Sequence, residues 1–509
     1  MRIPRTGRFF SLDSKEMQTR RELLIATASA ALAGCASKIS GPPTTKVESS
    51  CSLWVNDVHS QLNRTRIAGI SYPRNADELM KLLGTLKRNH SISVCGGRHA
   101  GGGQQFCTDR TLVDLREMNQ VRAFDSHAGV IDVEAGITWP VLMEKLRTFP
   151  DASSWAIRQK QGGADEVTLG GAIGSNIHSR HLHFRPFVQD IESMQVILPD
   201  SSLVTCSRTT NAELFAKIIG GYGLLGIVCS MQLRLERRVK LVMRAVWIEA
   251  EHAVARMESA RDSGAWHGGF QPSIDPASDD FCKGGLLTWF EPAPEDAPVQ
   301  NLSRDEAQRQ FVGLATLAHA DKEQVMNAFR SKMLSLDGKI VDWSDQWMRT
   351  DYQPGYHRAI DKTRGGAGSE ILSEIHVPRA SLADFLREAK QILLEDRAEL
   401  IYSLVRLIER DNETFLTWAK QDYACVIFNL HTQLDRTSID KNAATFRKLL
   451  DAAIRKNGSY YLTYHRFARR DQLLKCYPQL PDFLQFKKQL DPQTRIESDW
   501  HRSYANIIA

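Results

Sequence analysis

No stretch of this 509-residue chain approaches the roughly 20 consecutive apolar residues that a membrane-spanning helix needs. Its nine cysteines, at 35, 51, 95, 107, 206, 229, 282, 425 and 476, form no C-x-x-C pair and none stands at zinc spacing from histidines. That argues against a structural metal, while disulfide pairings stay unreadable. Charge of one sign is lacking too. Lys+Arg 65 against Asp+Glu 60 leaves +5, nearly balanced over this length, which makes no case for nucleic acid. There is no internal repeat. The remainder is ordinary globular composition, 42% hydrophobic and 25% charged, and this excludes wholesale disorder or a coiled coil. At about 150 residues per domain the length suggests about three domains.

The N-terminal region reads as an address. Arg20-Arg21 precedes a short apolar run, Leu23–Leu32, and then Ala33-Gly34-Cys35. A twin arginine ahead of a short apolar segment resembles a bacterial Tat export signal. Leu32-Ala33-Gly34-Cys35 resembles a lipobox, so Cys35 is the expected lipidated residue and the expected location is the bacterial envelope, membrane-anchored in the periplasm. A short buried helix would not account for the arginine pair, the apolar run and the small-residue site together. Met17 would serve as a start giving the usual short leader. Residues 36–61 read as a tether, rich in Ser, Pro, Thr and Lys up to Ser50. Tat exports folded proteins, commonly because a cofactor is inserted first.

From Ile70 strands and helices alternate. The pattern predicts helices over 76–87, 138–146 and 212–219, and strands over 91–95, 111–115, 130–134, 191–198, 203–206 and 227–235. The region 239–457 differs, with long helices over 303–329 and 380–394 and strands over 286–290, 370–377 and 424–430. Gly221-Tyr-Gly223-Leu-Leu-Gly226 satisfies G-x-G-x-x-G, but a helix precedes it and a strand comes after. A dinucleotide-binding βαβ unit requires the opposite order, so an NAD site is rejected.

Two glycine-rich segments carry the chemistry. Ser93-Val-Cys-Gly96-Gly97-Arg98-His99-Ala100-Gly101-Gly102-Gly103-Gln104-Gln105 puts five glycines in eight positions behind a strand. Such a loop can turn successive backbone N–H groups toward a phosphate, and Arg98 adds charge. The second runs through Thr168-Leu-Gly170-Gly171-Ala172-Ile173-Gly174-Ser175-Asn176-Ile177-His178-Ser179-Arg180-His181-Leu-His183. Its small residues suggest a flat, close backbone approach. Its histidines lack the spacing that sets two on one helical face beside a carboxylate, so no metal is expected.

Together these residues resemble the FAD-binding domain of the vanillyl-alcohol oxidase / p-cresol methylhydroxylase (PCMH-type) flavoproteins, over about residues 62–238. The resemblance implies an α+β fold: two small α/β subdomains holding FAD, with an α+β cap domain over the flavin. It implies domains at 1–35 (signal), 36–61 (tether), 62–238 (FAD), 239–457 (cap) and 458–509, a segment that returns to the FAD domain. The implied cofactor residues are Gly96, Gly97, Arg98, His99, Ala100, Gln104, Thr168, Gly170, Gly171, Ala172, Ser175, His178, Gly226 and Ile227. In several branches the histidine at the His99 position is bonded to the flavin 8α-methyl, and in others the flavin is held without a bond; both stay open here.

His178 and the tail, Tyr460-Tyr461-Leu-Thr-Tyr464-His465-Arg466 through Ser498-Asp499-Trp500-His501-Arg502, resemble the sugar-lactone oxidase and decaprenylphosphoryl-ribose oxidase branches. There a tail tyrosine, here Tyr461, lies near the flavin. Tyr464 and Ser179 stand where the ribose-oxidase branch has lysine and glycine. The expected activity is oxidation of a CH–OH group of a sugar, aldonolactone or polyol, with oxygen, a quinone or a cytochrome taking the electrons. The rival is an envelope lipoprotein whose flavin domain has lost catalysis and only binds. A general base is required. Glu374 and His376, two apart on a strand, face one side. Arg406 is placed to anchor a substrate oxygen or oppose flavin charge. The blander alternatives are a surface ion pair for Glu374 and a snorkelling Arg406.

Overall fold

The computed structural model describes residues 53–508 apart from 89, 300–303 and 350–356. Arg20, Arg21, Cys35 and most of the expected tether lie outside the described residues. Among the described residues no helix is long and apolar enough to cross a membrane.

The tether assignment fails at its end. Leu53–Val55 is a strand paired with Thr65–Ile67. Between them the buried Asp57 carboxylate accepts backbone N–H groups of His59, Ser60, Gln61, Leu62 and Asn63. A polar turn of this kind leaves no hydrophobic period in the sequence.

Three sheets make up the rest. A parallel sheet has Thr111–Asp114 between Gly69–Ser71 and Ile92–Cys95. The helix Ala76–Gly84, capped by Asn75, buries Leu79 and Leu83 beside it. An antiparallel sheet runs Leu203–Ser207, Ile191–Ile197, Ile227–Arg237, Val130–Glu134, Val121–Asp125, and Trp155–Ile157 pairs with the far end of Ile227–Arg237. The third sheet has eight strands, in the order Ile340–Trp343, Lys240–Glu249, Gly284–Ala293, His267–Pro272, Leu400–Ile408, Tyr423–Gln433, Gly368–Pro378, Ser459–Tyr460.

Side chains alternate across this third sheet. Along Gly368–Pro378, Ile375 and Val377 enter a core shared with Phe385, Leu386, Phe446 and Leu449 of the helices Leu382–Glu395 and Arg436–Arg455. Glu370, Leu372 and Glu374 face the other way. The long helix expected over 303–329 is two helices, Arg304–Ala320 and Lys322–Ser335. Asp321 breaks it: its backbone is extended and its side chain accepts from Gln324 N, the normal way to cap a new helix.

The final segment threads back. Ile92 N donates to Arg495 O and Glu497 N to Ile92 O, so the tail lengthens the parallel sheet. Gly102 N donates to Thr463 O, and Thr108 Oγ1 to Asp499 at 2.6 Å. Trp500 is fully buried against Tyr222 and Tyr504.

The seven described cysteines are buried and unpaired. Several histidines are buried as well. Neither ring nitrogen of His376 has a partner. Burial pulls its pKa down from 6.5 to about 3, although Glu374 opposes this. The unfolded chain therefore binds a proton near pH 6 that the folded chain refuses. Stability is full above about pH 6.5 and falls as the pH drops below it, by about 1.4 kcal/mol per unit for one such group. In His376→Leu, equilibrium denaturation between pH 7 and pH 5 should show a shallower fall than wild type. An equal or steeper fall would exclude His376 as a contributor.

Candidate active site

One cavity of about 660 Å³ receives side chains from all three regions. Its first wall is the loop after Ile92–Cys95. Gly96, Gly97, Arg98, His99, Ala100 and Gln104 all line it. A Cβ on Gly97 would lie well inside contact distance of the Glu166 carbonyl, and one on Gly96 would collide with the Thr168 side chain. These two glycines are therefore required by the packing of one loop on the other. Arg98 has a left-handed φ of 57°, and its Nε is buried without a partner. His99 Nε2 is likewise unpartnered, and burial, reinforced by His59, lowers the pKa of its ring to about 4.

The second wall is a short helix, Leu169–Ser175, where the sequence suggests a flat run. Thr168 caps it through its hydroxyl, which accepts from Gly171 N at 3.2 Å, and Asn176 ends it at a left-handed φ of 49°. Thr168, Gly170, Gly171 and Ser175 line the cavity. Ala172 does not: it is fully buried in the core, because the helical turn carries it off the face that Gly171 and Ser175 share. A Cβ on Gly171 would meet only Thr168 and Val167, at 3.4 Å or more, so a larger side chain there projects into open space. Gly226 and Ile227 close this side.

Asn176 fixes the segment beyond the helix. Its amide donates to Asp411 at 3.0 Å, its side-chain oxygen accepts Val188 N, and its carbonyl accepts Trp418 Nε1. His178 is thereby held between Trp418 and Tyr461, 4.9 and 5.8 Å from their rings. His178 Nε2 lies 2.6 Å from Glu374 Oε2. Tyr464 donates its hydroxyl to Glu374 Oε1 at 2.7 Å, and the Cys425 thiol donates to Oε2 at 3.2 Å. Burial opposes charge on Glu374. The attraction and hydrogen bond of His178, the Arg406 guanidinium and the Tyr464 hydroxyl outweigh it and hold the carboxyl well below the usual range. His178 Nδ1 is buried and unpartnered.

His178, Glu374 and Cys425 also bring three potential metal-ligand atoms within 4.8 Å of one another. Burial raises the Cys425 thiol well above its ordinary pKa, so it holds its proton and acts as a donor to Glu374.

Of the expected catalytic residues, His178, Glu374, Arg406 and Tyr461 meet at the cavity. His376 does not reach it. It continues the Glu374 row of the strand but packs against Trp418 and Tyr423, 4.9 and 5.6 Å away. Arg406 Nε has no partner, and Nη2 lies 2.6 Å from where a Gly162 Cβ would stand. The Tyr461 hydroxyl is committed to Ser175 O at 2.6 Å, so Tyr464 supplies the phenol of the network instead. Two features carry no sequence signal. Lys160, its side chain fully buried, pairs with Asp165 at 2.8 Å on the cavity wall. Glu370 accepts from His319 at 3.0 Å and from Asn429.

The orphaned donors Arg98 Nε and Arg406 Nε, the orphaned acceptors Gln104 Oε1 and Gln105 Oε1, and the glycine-lined gap fit a large anionic, hydrogen-bonding cofactor. Comparison with known proteins agrees. Residues 67–207 match the FAD binding domain family. L-gulonolactone oxidase from Bos taurus is 26% identical over 163 residues, covering 32% of this chain and 36% of the relative. The Scyliorhinus torazame enzyme is 29% identical over the same length and the same shares. Cytokinin dehydrogenase 3 from Arabidopsis thaliana is 27% identical over 176 residues, covering 34% of this chain and 32% of the relative. The chain thus matches about a third of the length of these relatives, and its cofactor is FAD.

The two glycine positions make opposite demands. Gly171→Val should give folded protein, with wild-type circular dichroism, that is poor in flavin by absorbance. Gly97→Val should lower the thermal midpoint itself, because its methyls meet the Glu166 backbone. A flavin-replete Gly171→Val would place the cofactor elsewhere.

Proposed function

We propose that this chain, which carries a PCMH-type FAD-binding domain related to that of the sugar-lactone oxidases, is a flavin oxidoreductase that oxidises a CH–OH group of a small molecule. The observation that carries the reading is the His178–Glu374–Tyr464 network beside the Arg406 guanidinium, on the same cavity as the glycine segments. FAD, when bound, supplies the hydride acceptor. Gly96 to Ala100, Gln104, Thr168, Gly170, Gly171, Ser175, Gly226 and Ile227 would hold it.

The chain's own part is proton handling and orientation. A carboxylate as acidic as Glu374 is a weak proton acceptor, so its role is to orient His178 and balance the charge that the imidazole gains. With Nε2 donating to Glu374, Nδ1 carries the lone pair that takes the substrate hydroxyl proton. Arg406 anchors the substrate oxygen or opposes the negative charge that develops on the flavin. The eight-stranded sheet, with Glu374 and Arg406, serves as the cap over the flavin. An intact proton-handling network favours catalysis over a domain retained for binding alone. Sugars, aldonolactones and polyols are the substrate class by resemblance, with oxygen, a quinone or a cytochrome as acceptor. Arg20-Arg21 and Cys35 support an exported, lipid-anchored protein. His99 supports a covalent flavin: its imidazole is neutral at pH 7 and Nε2 is free to bond the 8α carbon. That bond replaces one C–H, whose proton leaves to solvent and whose two electrons pass to the electron acceptor.

Anaerobic mixing of the yellow protein with a panel of aldonolactones and sugar alcohols tests the activity. Bleaching is expected with at least one member. His178→Asn should keep its flavin and bleach roughly 10²–10⁴-fold more slowly. Acid precipitation should leave flavin in the wild-type pellet and release it from His99→Ala. Bleaching of His178→Asn at the wild-type rate would remove His178 from the proton path.

A further inference from the structure

The cavity does not end at the Glu374 network. It continues between the helices Arg304–Ala320 and Lys322–Ser335 and the eight-stranded sheet. There it is lined by Leu314, Ala318, Val325, Met326, Phe329 and Met348. Ala318, Val325 and Met348 are buried, and the other three are partly so. None of these six side chains offers a hydrogen-bond partner beyond the weakly accepting methionine sulfurs. The helix backbones between them are satisfied internally. Trp347 closes the lobe on the side of Arg180, whose guanidinium lies 5.7 Å from its ring.

Such walls discriminate. A sugar hydroxyl turned toward these six side chains would lose its water and find no partner among them, which disfavours it there. A methylene moved there gains about 0.8 kcal/mol. The lobe also lies outside residues 67–207, the part that matches the FAD binding domain. Its six residues therefore belong to a different part of the chain from the glycine segments assigned to the cofactor.

We propose that the substrate is an amphiphile: its CH–OH end sits at His178, Glu374, Tyr464 and Arg406, and an apolar chain or ring fills the lobe between the two helices. This rests on the oxidoreductase reading for the polar end only, since the apolar lobe is defined by its own walls. It narrows the substrate class from free sugars and polyols to hydroxylated molecules bearing an apolar group.

The holoprotein can be titrated with straight-chain alkan-1-ols from butanol to octanol, by calorimetry. These carry the CH–OH group and an apolar tail and nothing else. Dissociation constants should tighten roughly three- to fourfold per added methylene until the lobe is full. Ala318→Trp should flatten the series while retaining its flavin. Phe329→Ala, which enlarges the lobe, should move the plateau to a longer alcohol, and it tests the same claim should Ala318→Trp not fold. A flat wild-type series would overturn the proposal. So would a gradient unchanged in both variants, or loss of flavin from folded Ala318→Trp, which would give the lobe to the cofactor. The two readings fail separately. Bleaching by short polyols with a flat alkanol series removes the amphiphile and keeps the oxidoreductase. A steep series sensitive to both variants, in a protein that no substrate bleaches, keeps the lobe and removes the proposed function.

Discussion

The contact on which the site depends is the 2.6 Å hydrogen bond between His178 and Glu374. It joins residues 196 positions apart, one just past the glycine helix and the other in the middle of a strand of the eight-stranded sheet. Neither group is stable alone in that setting. A buried carboxylate without partners would take up a proton, and a buried imidazole without an acceptor would be left unoriented. Paired, and supported by Tyr464, Cys425 and Arg406, they form a buried hydrogen-bonded centre on the cavity wall. The same pairing bonds the two halves of the cavity to each other, so the chemistry and the assembly of the site share one interaction.

How much of this is legible in the sequence depends on range. Gly96–Gln105 and Thr168–His183 are legible because close loop packing needs glycine at particular positions, and that need is local. Strands such as Val130–Glu134 and Ile191–Ile197 are legible because a half-buried strand alternates. The misreadings have equally physical sources. Ala172 reads with its neighbours as a flat run, but the segment is helical, and a step of about 100° turns it into the core. His376 shares a face with Glu374, yet two residues along a strand is roughly 6–7 Å, enough to leave the cavity. Asp321 signals a helix start in sequence, and the apolar period running through it conceals that signal.

Tyr461 and Tyr464 illustrate a different limit. Both belong to Tyr-Tyr-Leu-Thr-Tyr, after the last strand of the eight-stranded sheet, where the backbone has no regular period. Nothing in the sequence says which phenol faces Glu374 and which is spent on the Ser175 carbonyl. Lys160 and Asp165 are invisible for the opposite reason: a charged pair five residues apart beside two glycines reads as a solvated loop. Only the covering of that loop by other parts of the chain makes it a buried ion pair, and such covering is a property of the whole fold.

The return of the tail to the first sheet has a consequence for how the protein is made. Ile92 and Gly102 flank the glycine loop, and their backbone partners come from residues 463 to 497. While the chain is being synthesised, those partners do not yet exist. The loop emerges from the ribosome nearly 400 residues ahead of the segment that completes it. The parallel sheet has only three short strands of its own, too few to hold the loop in place against solvent. The glycine loop therefore takes its final shape only once residues 463 to 497 have been made, and the cofactor meets a finished site only after that. Loading of flavin is in this sense a late event in the biogenesis of the molecule, set by the order in which its backbone partners are made.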